Sequence, residues 1–278
     1  MTPAAQPRIA LIGMPQTGKS TYLGALWALV QSPLETAVSE ASFAGDRSYI
    51  QRLAEQVARG QELDRTGVDT NEAMSVVLDF EGLGSADVMI PDTSGESLRV
   101  LVESQLWHPR LLDACAQATA IVLFVHPARL RVPQPVSLLA VAGAASADLE
   151  QEPAPFDVHE HASTAAELID VFENLTELCR ERWPIRLAVI VSAWDRVDGE
   201  LTPYDWLAAR LPGLLSTIEA GAEMAGFEVF GVSAQGGSLE TREELLAKGE
   251  ICDRVYARDR SGAPVSLMAP VRWAIFGE

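Results

Sequence analysis

The chain has 278 residues, 48% of them hydrophobic, with 39 acidic residues against 21 basic ones and a formal net charge of −18. The apolar share can fill a packed core and excludes intrinsic disorder, while the negative charge repels phosphate backbones and speaks against general nucleic-acid binding. Three cysteines without zinc or disulfide spacing, no signal-like apolar run in Met1–Pro7, no lipidation motif and apolar runs too short for a bilayer predict a cytoplasmic protein with no membrane contact.

Arg8 to Ile12 is an apolar run that reads as a buried strand. The next residues, Gly13-Met14-Pro15-Gln16-Thr17-Gly18-Lys19-Ser20, fit the phosphate-binding loop pattern G-x-x-x-x-G-K-[ST]. Thr21 to Val30 follows with Leu23, Leu26, Trp27 and Val30 at helical spacing. Strand, loop and helix put several backbone N–H groups around one concave site at the positive end of a helix dipole. Gly13, Gln16, Thr17, Gly18, Lys19, Ser20 and Thr21 are therefore the expected nucleotide-binding residues, with Lys19 reaching the β- and γ-phosphates and Ser20 ligating Mg²⁺.

Gln31 to Gly67 is polar and reads as an insertion, 31–67, with a short helix marked by Tyr49, Ile50, Leu53 and Val57 and N-capped by Asp46. Met74–Phe80 and Asp87–Ile90 read as a hairpin around Gly82 and Gly84. Asp92-Thr93-Ser94-Gly95-Glu96 then presents D-x-x-G at a strand end. There the carboxylate can hold Mg²⁺ and the Gly95 N–H can bond a γ-phosphate; a plain turn or helix N-cap is the alternative. Leu98 to Ala118 is expected to be helical and Ala120–Val125 a central buried strand. Pro127 to His161 reads as a Pro/Ala-rich acidic insertion, 127–161, whose Asp148, Glu150 and Glu152 form a wet face or a partner surface.

Thr164–Arg182 is an amphipathic helix, Leu187–Val191 a buried strand, Tyr204–Ala222 a helix and Phe227–Val232 the last main strand. The tail from Glu240 carries one helix, a polar patch at Arg258–Gly262 and a final helix near Leu267–Phe276. This alternation predicts an α/β fold: a mostly parallel central sheet of about six strands flanked by helices, with one antiparallel edge strand, in a single domain spanning 1–278.

Ser192-Ala193-Trp194-Asp195 and Ser233-Ala234-Gln235 both follow strands, at the edge where open parallel sheets bind ligands. In this order the chain resembles the P-loop GTPases of the translation-factor-like (TRAFAC, Ras-like) class, with G1 at Gly13–Ser20, G3 at Asp92–Gly95, G4 at Ser192–Asp195 and G5 at Ser233–Gln235. The resemblance implies GTP/GDP and Mg²⁺ as ligands. Asp195 would accept from guanine N1 and N2, the Ala234 N–H would bond O6, and Ser192, Trp194 and Ser233 would complete the base site.

Departures from the pattern leave alternatives open. Ser192 and Ala193 replace the first two residues of [NT]-K-x-D; Trp194 is either a substitute stacking surface or a core residue. Guanine preference then rests mainly on Asp195, whose alternative role is a strand-end cap, and adenine use stays open. Glu96 stands where Ras-like proteins place glutamine, and it is either catalytic or a favourable charge in a first helical turn; slow intrinsic hydrolysis is expected. Thr66 and Thr70 both precede the Met74 strand. Thr66 is preferred as the switch I ligand of Mg²⁺ because Arg65 beside it could act as an arginine finger, the alternative for Arg65 being a solvated charge.

More narrowly, Gly18-Lys19-Ser20-Thr21-Tyr22-Leu23, the Asp92–Glu96 box, Trp194-Asp195 and Ala269-Pro270-Val271-Arg272-Trp273 are similar to the bacterial double-GTPase family. That resemblance implies a switch with protein partners in a multicomponent bacterial signalling or conflict system. The resulting expectation is a GTP-binding molecular switch with slow Mg²⁺-dependent hydrolysis. The alternatives are an ATPase on the same fold and a non-hydrolysing, nucleotide-bound interaction module. His108, His126, His159 and His161 are read as solvated or capping groups, and Trp107, Trp183, Trp206 and Trp273 as core anchors.

Overall fold

The computed structural model describes residues 6–32, 37–63, 74–90, 95–132, 162–180, 184–197, 199–221 and 224–278. Its strands are β1 (Arg8–Gly13), β2 (Val38–Ala44), β3 (Met74–Phe80), β4 (Gly84–Ile90), β5 (Ala120–Val125), β6 (Arg186–Val191), β7 (Gly226–Ser233), β8 (Tyr256–Arg258) and β9 (Pro264–Val265). The helices are α1 (Lys19–Val30), α2 (Arg47–Ala58), α3 (Glu96–Ser104), α4 (Pro109–Gln117), α5 (Thr164–Cys179), α6 (Pro203–Arg210), α7 (Pro212–Ala220), α8 (Arg242–Ala247), α9 (Ile251–Arg254) and α10 (Ala269–Phe276).

The strands form one mixed sheet in the order β2-β3-β4-β1-β5-β6-β7-β8-β9. β4, β1, β5, β6 and β7 run parallel, while β2 and β3 at one side and β8 and β9 at the other run antiparallel to their neighbours. The fold is α/β, with a mostly parallel centre flanked by helices. Both faces of the central strands are covered, so these strands read as unbroken apolar runs. Ala120, Val122 and Phe124 of β5 face the layer with α1, α2 and α10, while Ile121, Leu123 and Val125 face α3, α4, α5 and α7. Burying each large side chain in such a core contributes about 1.5–3 kcal/mol.

The sheet is wider than the six strands expected. β2 arises inside the polar stretch after α1, where Val-Ser-Glu-Ala-Ser-Phe-Ala mixes polar and small residues and is largely exposed. β8 and β9 arise in the tail, where Arg258–Gly262 is the turn of a hairpin: Asp259 Oδ1 accepts from the N–H groups of Ser261 and Ala263, both at 2.9 Å. Two expected helices are broken. The first stops at Gln105, whose φ of 56° is left-handed, and restarts at Pro109. The second stops at Leu211 and restarts at Pro212. In both cases proline supplies the first helical residue of the next segment, where its missing N–H costs nothing. The α2 helix is as predicted, with Asp46 Oδ1 accepting from Ser48 N at 2.9 Å. Most of 127–161, including Asp148, Glu150, Glu152, His159 and His161, lies outside the described residues, as does Trp183. Among the described residues no helix is long and apolar enough to cross a membrane.

Candidate functional site

β1 ends at Gly13 and α1 starts at Lys19, so the chain reverses in five residues. Two of them are left-handed, Gln16 at φ 61° and Gly18 at φ 92°. Successive turns of this kind point backbone N–H groups into a common concavity that favours anions. Thr17 Oγ1 staples the turn by donating to Met14 O at 2.8 Å. Lys19 Nζ donates to Gly13 O at 2.6 Å and Met14 O at 3.2 Å, and the residue is only 3% exposed. An ammonium buried to that extent needs acceptors around it, and the loop's own carbonyls provide them.

The loop is tightly seated. A Cβ on Gly13 would lie 2.7 Å from Thr17 Oγ1 and 2.9 Å from Phe124 Cβ. Gly95, left-handed at φ 82°, caps α3, and a Cβ there would lie 2.6 Å from Gly13 O and 2.7 Å from Lys19 Nζ. The N-termini of α1 and α3 therefore meet at the same loop, two positive dipole ends at one place. Glu96 is the exposed first residue of α3, and Ser20 is the half-buried second residue of α1. Asp92, Arg65, Thr66 and Thr70 lie outside the described residues. Among the described residues no group of three or more His, Cys, Asp and Glu side chains could hold a metal ion.

Beyond Gly18 the loop borders a cavity of about 210 Å³ whose lining includes Thr21, Ser192, Ala193, Asp195, Ala234 and Gln235. Ser192 Oγ donates to Val125 O at 3.1 Å, and a Cβ on Gly18 would lie 3.1 Å from Ser192 Cβ, so the end of β6 braces the loop directly. Ala193 turns left-handed at φ 46° and starts a short 3₁₀ segment, Trp194–Arg196. Ser233, fully buried, donates through Oγ to Asp195 Oδ1 at 2.5 Å and accepts from Gly236 N at 3.2 Å. One carboxylate oxygen is thereby fixed by a short charge-assisted bond. Tyr256 pairs with Ser233 across β7–β8; burial, and then the Asp195 charge, push its phenol up, opposed by Arg258.

Trp194 is not in this cavity. It is 8% exposed and belongs to the core layer with Trp206 and Val229, where its indole packs so closely on Gly231 that any side chain there would overlap it. Of the two readings of Trp194, the core residue is the one the structure describes: the chain turns left-handed at Ala193, and the indole lies in the core layer. Several cavity residues are not among the expected site residues, Phe124, Gln235 and His126 among them. Phe124 lies beneath the loop, its ring edge-on to Tyr22 at 5.4 Å between centroids. Gln235, the third residue of Ser-Ala-Gln, lines the same cavity.

His126, the first residue after β5, lines both this cavity and a second one of about 430 Å³ on the other flank of the loop. Its Nδ1 accepts from Ala128 N at 3.1 Å. Burial first, and then the charges of Arg129 and Arg196, push its imidazole down, with Asp195 opposing. The second cavity is bordered by Pro15, Arg99, Arg129 and Arg131, with Arg131 Nη2 2.5 Å from the buried Glu167 carboxylate.

The site thus offers a rigid nest of N–H groups and an ammonium at one end. At the other end lies a cavity with one oriented carboxylate. No curated protein matches the chain. Solved structures with partial similarity include a bacterial selenocysteine-specific elongation factor EF-Sec (16% identity, TM-score 0.39), for which the match covers 88% of this chain but only 28% of that one. The Arl6 BBS3 small GTPase of Trypanosoma brucei, with bound GppNp, is 13% identical with a TM-score of 0.37, covering 87% and 94% of the two chains. The signal recognition particle receptor SRb-GTP/SRX complex of Chaetomium thermophilum gives 15% identity and a TM-score of 0.38, covering 87% and 96%. The family model Double-GTPase 1 matches residues 10–274, and the chain belongs to that family.

Proposed function

We propose that this protein binds GTP in the Gly13–Ser20 loop and the adjoining cavity, and acts as a molecular switch with slow Mg²⁺-dependent hydrolysis. The observation that carries the reading is the Asp195 carboxylate, held by Ser233 Oγ in a cavity that shares Gly18 with the phosphate loop. A nucleotide lying from loop to cavity would place its anionic tail on Lys19 and the N–H nest, and its base against Asp195. The residues fit such a ligand. Gly13 and Gly95 are packed so closely that neither has room for a side chain, and Gln235, which lines the cavity, has a buried amide nitrogen without a partner.

Mg²⁺ would be held by Ser20 with Asp92 and Thr66, and when bound it supplies charge neutralisation at the β- and γ-phosphates. The protein's own part is orientation. Lys19 stabilises the terminal phosphates, and the Gly95 N–H signals the γ-phosphate to α3, so that the 92–96 segment relaxes after hydrolysis. Glu96, the first residue of α3, would orient the attacking water in place of glutamine and Arg65 would act as an arginine finger, a combination that supports slow unassisted turnover. Family membership supports a role alongside protein partners, in a multicomponent bacterial signalling or conflict system.

Calorimetric titration of wild type and Lys19→Ala with GTP, GDP and ATP in Mg²⁺ tests the proposal. The expected result is guanine binding at least about tenfold tighter than adenine binding, equivalent to 1.4 kcal/mol, and loss of triphosphate affinity in Lys19→Ala. A preference for ATP overturns the guanine assignment and returns the ATPase reading. GTP binding without single-turnover release of phosphate overturns hydrolysis and leaves a nucleotide-bound interaction module.

A further inference from the structure

The cavity of about 430 Å³ on the other flank of the phosphate loop takes no part in the nucleotide reading. Its walls come from three places in the chain: Met14, Pro15 and Thr17 of the loop, Arg99 in the first turn of α3, and the segment after β5 where it meets the start of α5. That last wall is pinned. Thr164 Oγ1 accepts from Arg131 N at 2.8 Å, and Thr164 N donates to Arg131 O at 3.1 Å. Among the described residues lining the cavity, the charged side chains are Arg99, Arg129, Arg131 and Glu167. Glu167 is 2% exposed and already paired with Arg131. Arg99 meets Glu103 outside the cavity, Nε to Oε1 at 3.3 Å, in an exposed pair of the kind that contributes little. Three guanidiniums against one carboxylate leave two positive charges in excess, in a chain whose formal net charge is −18. Like charges gathered round one hollow repel unless an anion sits among them.

The lining also limits what that anion can be. A volume of this size lies in the range of small-ligand sites. Met14, Phe124, Leu130 and Leu168 give the cavity apolar surface, which suits a ring or a short hydrocarbon body. Guanidiniums grip carboxylates and phosphates through paired N–H groups, and two charges in excess match a dianion. We propose that this cavity is a second ligand site, for a small organic dianion with an apolar body, a phosphate monoester or a dicarboxylate, held by Arg99 and Arg129. Its position links it to the first site. One wall is the phosphate loop and another is α3, whose leading Gly95 packs on Lys19. A ligand held between them biases both, so nucleotide and dianion change each other's affinity by the same factor. That link rests on the nucleotide-binding reading above; the cavity assignment does not.

Calorimetric titration of the full chain with phenyl phosphate, phthalate and benzyl alcohol tests the site, on wild type, Arg99→Gln, Arg129→Gln and Lys19→Ala. Glutamine keeps hydrogen-bonding groups without the charge, and melting curves establish that each variant is folded. Saturable binding of at least one dianion is expected, about tenfold weaker in each arginine variant and unchanged in Lys19→Ala. The tighter of the two names the headgroup as phosphate or carboxylate. No saturable binding of either at millimolar concentration overturns the proposal, and so does equal binding of the neutral alcohol. Binding that survives in both arginine variants overturns it too; if that binding is lost in Lys19→Ala, the anion sits in the phosphate loop. The titrations are then repeated with GDP. Saturating dianion is expected to change GDP affinity at least about fivefold; GDP that binds with affinity altered by less than about twofold overturns the link between the sites. If GDP does not bind at all while the arginine variants still lose the dianion, the nucleotide reading fails and the cavity assignment stands.

Discussion

Gly95 rests against Lys19 so closely that a Cβ on it would be 2.7 Å from the ammonium nitrogen. The first residue before α3 is thereby packed on the phosphate loop, and anything that moves Gly95 moves the α3 N-terminus. Gly95→Ala must place a methyl group against Lys19 Nζ and Gly13 O while holding φ at 82°. The backbone term alone costs about 1–2 kcal/mol. The expected outcome is a modest fall in thermal stability, a larger loss of GTP than of GDP affinity, and single-turnover hydrolysis slower by about 100-fold, the order of effect of losing one transition-state donor, because the strained turn carries the Gly95 N–H out of place.

Ser233 serves Asp195 and Gly236 with one hydroxyl. Ser233→Ala leaves the Gly236 N–H without its acceptor and lets the carboxylate swing. A stability loss of about 1–3 kcal/mol is expected in urea titration. GDP affinity should fall while ADP affinity hardly moves, because only guanine offers paired N–H donors to that carboxylate. Unchanged GDP-to-ADP selectivity would show that Asp195 needs no bracing.

Trp194 and Asp195 are adjacent in sequence but face opposite sides of the sheet edge. Trp194→Phe is therefore expected to lower stability, by less than the ~3–5 kcal/mol of full truncation, and to leave GDP affinity within about twofold. A base stacked on the indole would instead lose affinity and quench its fluorescence.

What could be read in advance was local. The phosphate loop, the Asp46 cap and the buried strands β5 and β6 are set by neighbours in sequence: glycine turns, a capping carboxylate and runs of six and five apolar residues. The side of the sheet that receives Trp194 depended on the left-handed turn at Ala193, which no hydrophobic period announces. β8 and β9 have three and two residues, too few to show alternation, and exist because Tyr256–Arg258 finds the open edge of β7. β2 likewise takes its place from pairing with β3, since most of its side chains stay exposed. The unpaired amide nitrogen of Gln235 is a product of the tertiary fold and has no counterpart in the sequence pattern.

His126 gives the site a pH dependence. Burial, reinforced by Arg129 and Arg196, holds its folded-state imidazole below the ordinary value near 6.5. In the window below 6.5 and above the lowered folded value, the unfolded chain binds the proton and the folded chain does not, so this group's contribution to stability falls as pH falls. Geometry adds a reason: protonated Nδ1 would meet the Ala128 N–H as donor against donor. His126→Asn retains an acceptor without the titration. Its urea midpoint should decline less than that of wild type between pH 7 and pH 5; parallel declines would assign the acid sensitivity to other groups.

Arg254 ties the carboxyl end of α2 to the loop bordering the base cavity. Its Nη2 donates to Val57 O at 2.6 Å and Ala58 O at 2.7 Å, while its main-chain oxygen lies against Gly236. The guanidinium meets the negative end of the α2 dipole, where a cation is favoured, although burial pulls its proton affinity down. Arg254→Met removes the side-chain half of the tie and leaves the main-chain half. The cost expected is about 1.5–3 kcal/mol, the range for hydrogen bonds to a charged group. Amide exchange should rise at the end of α2, with the Gly236 amide still protected through Ser233. Equal loss of protection at both places would mean that the guanidinium, and not the α9 backbone, is what holds the base loop.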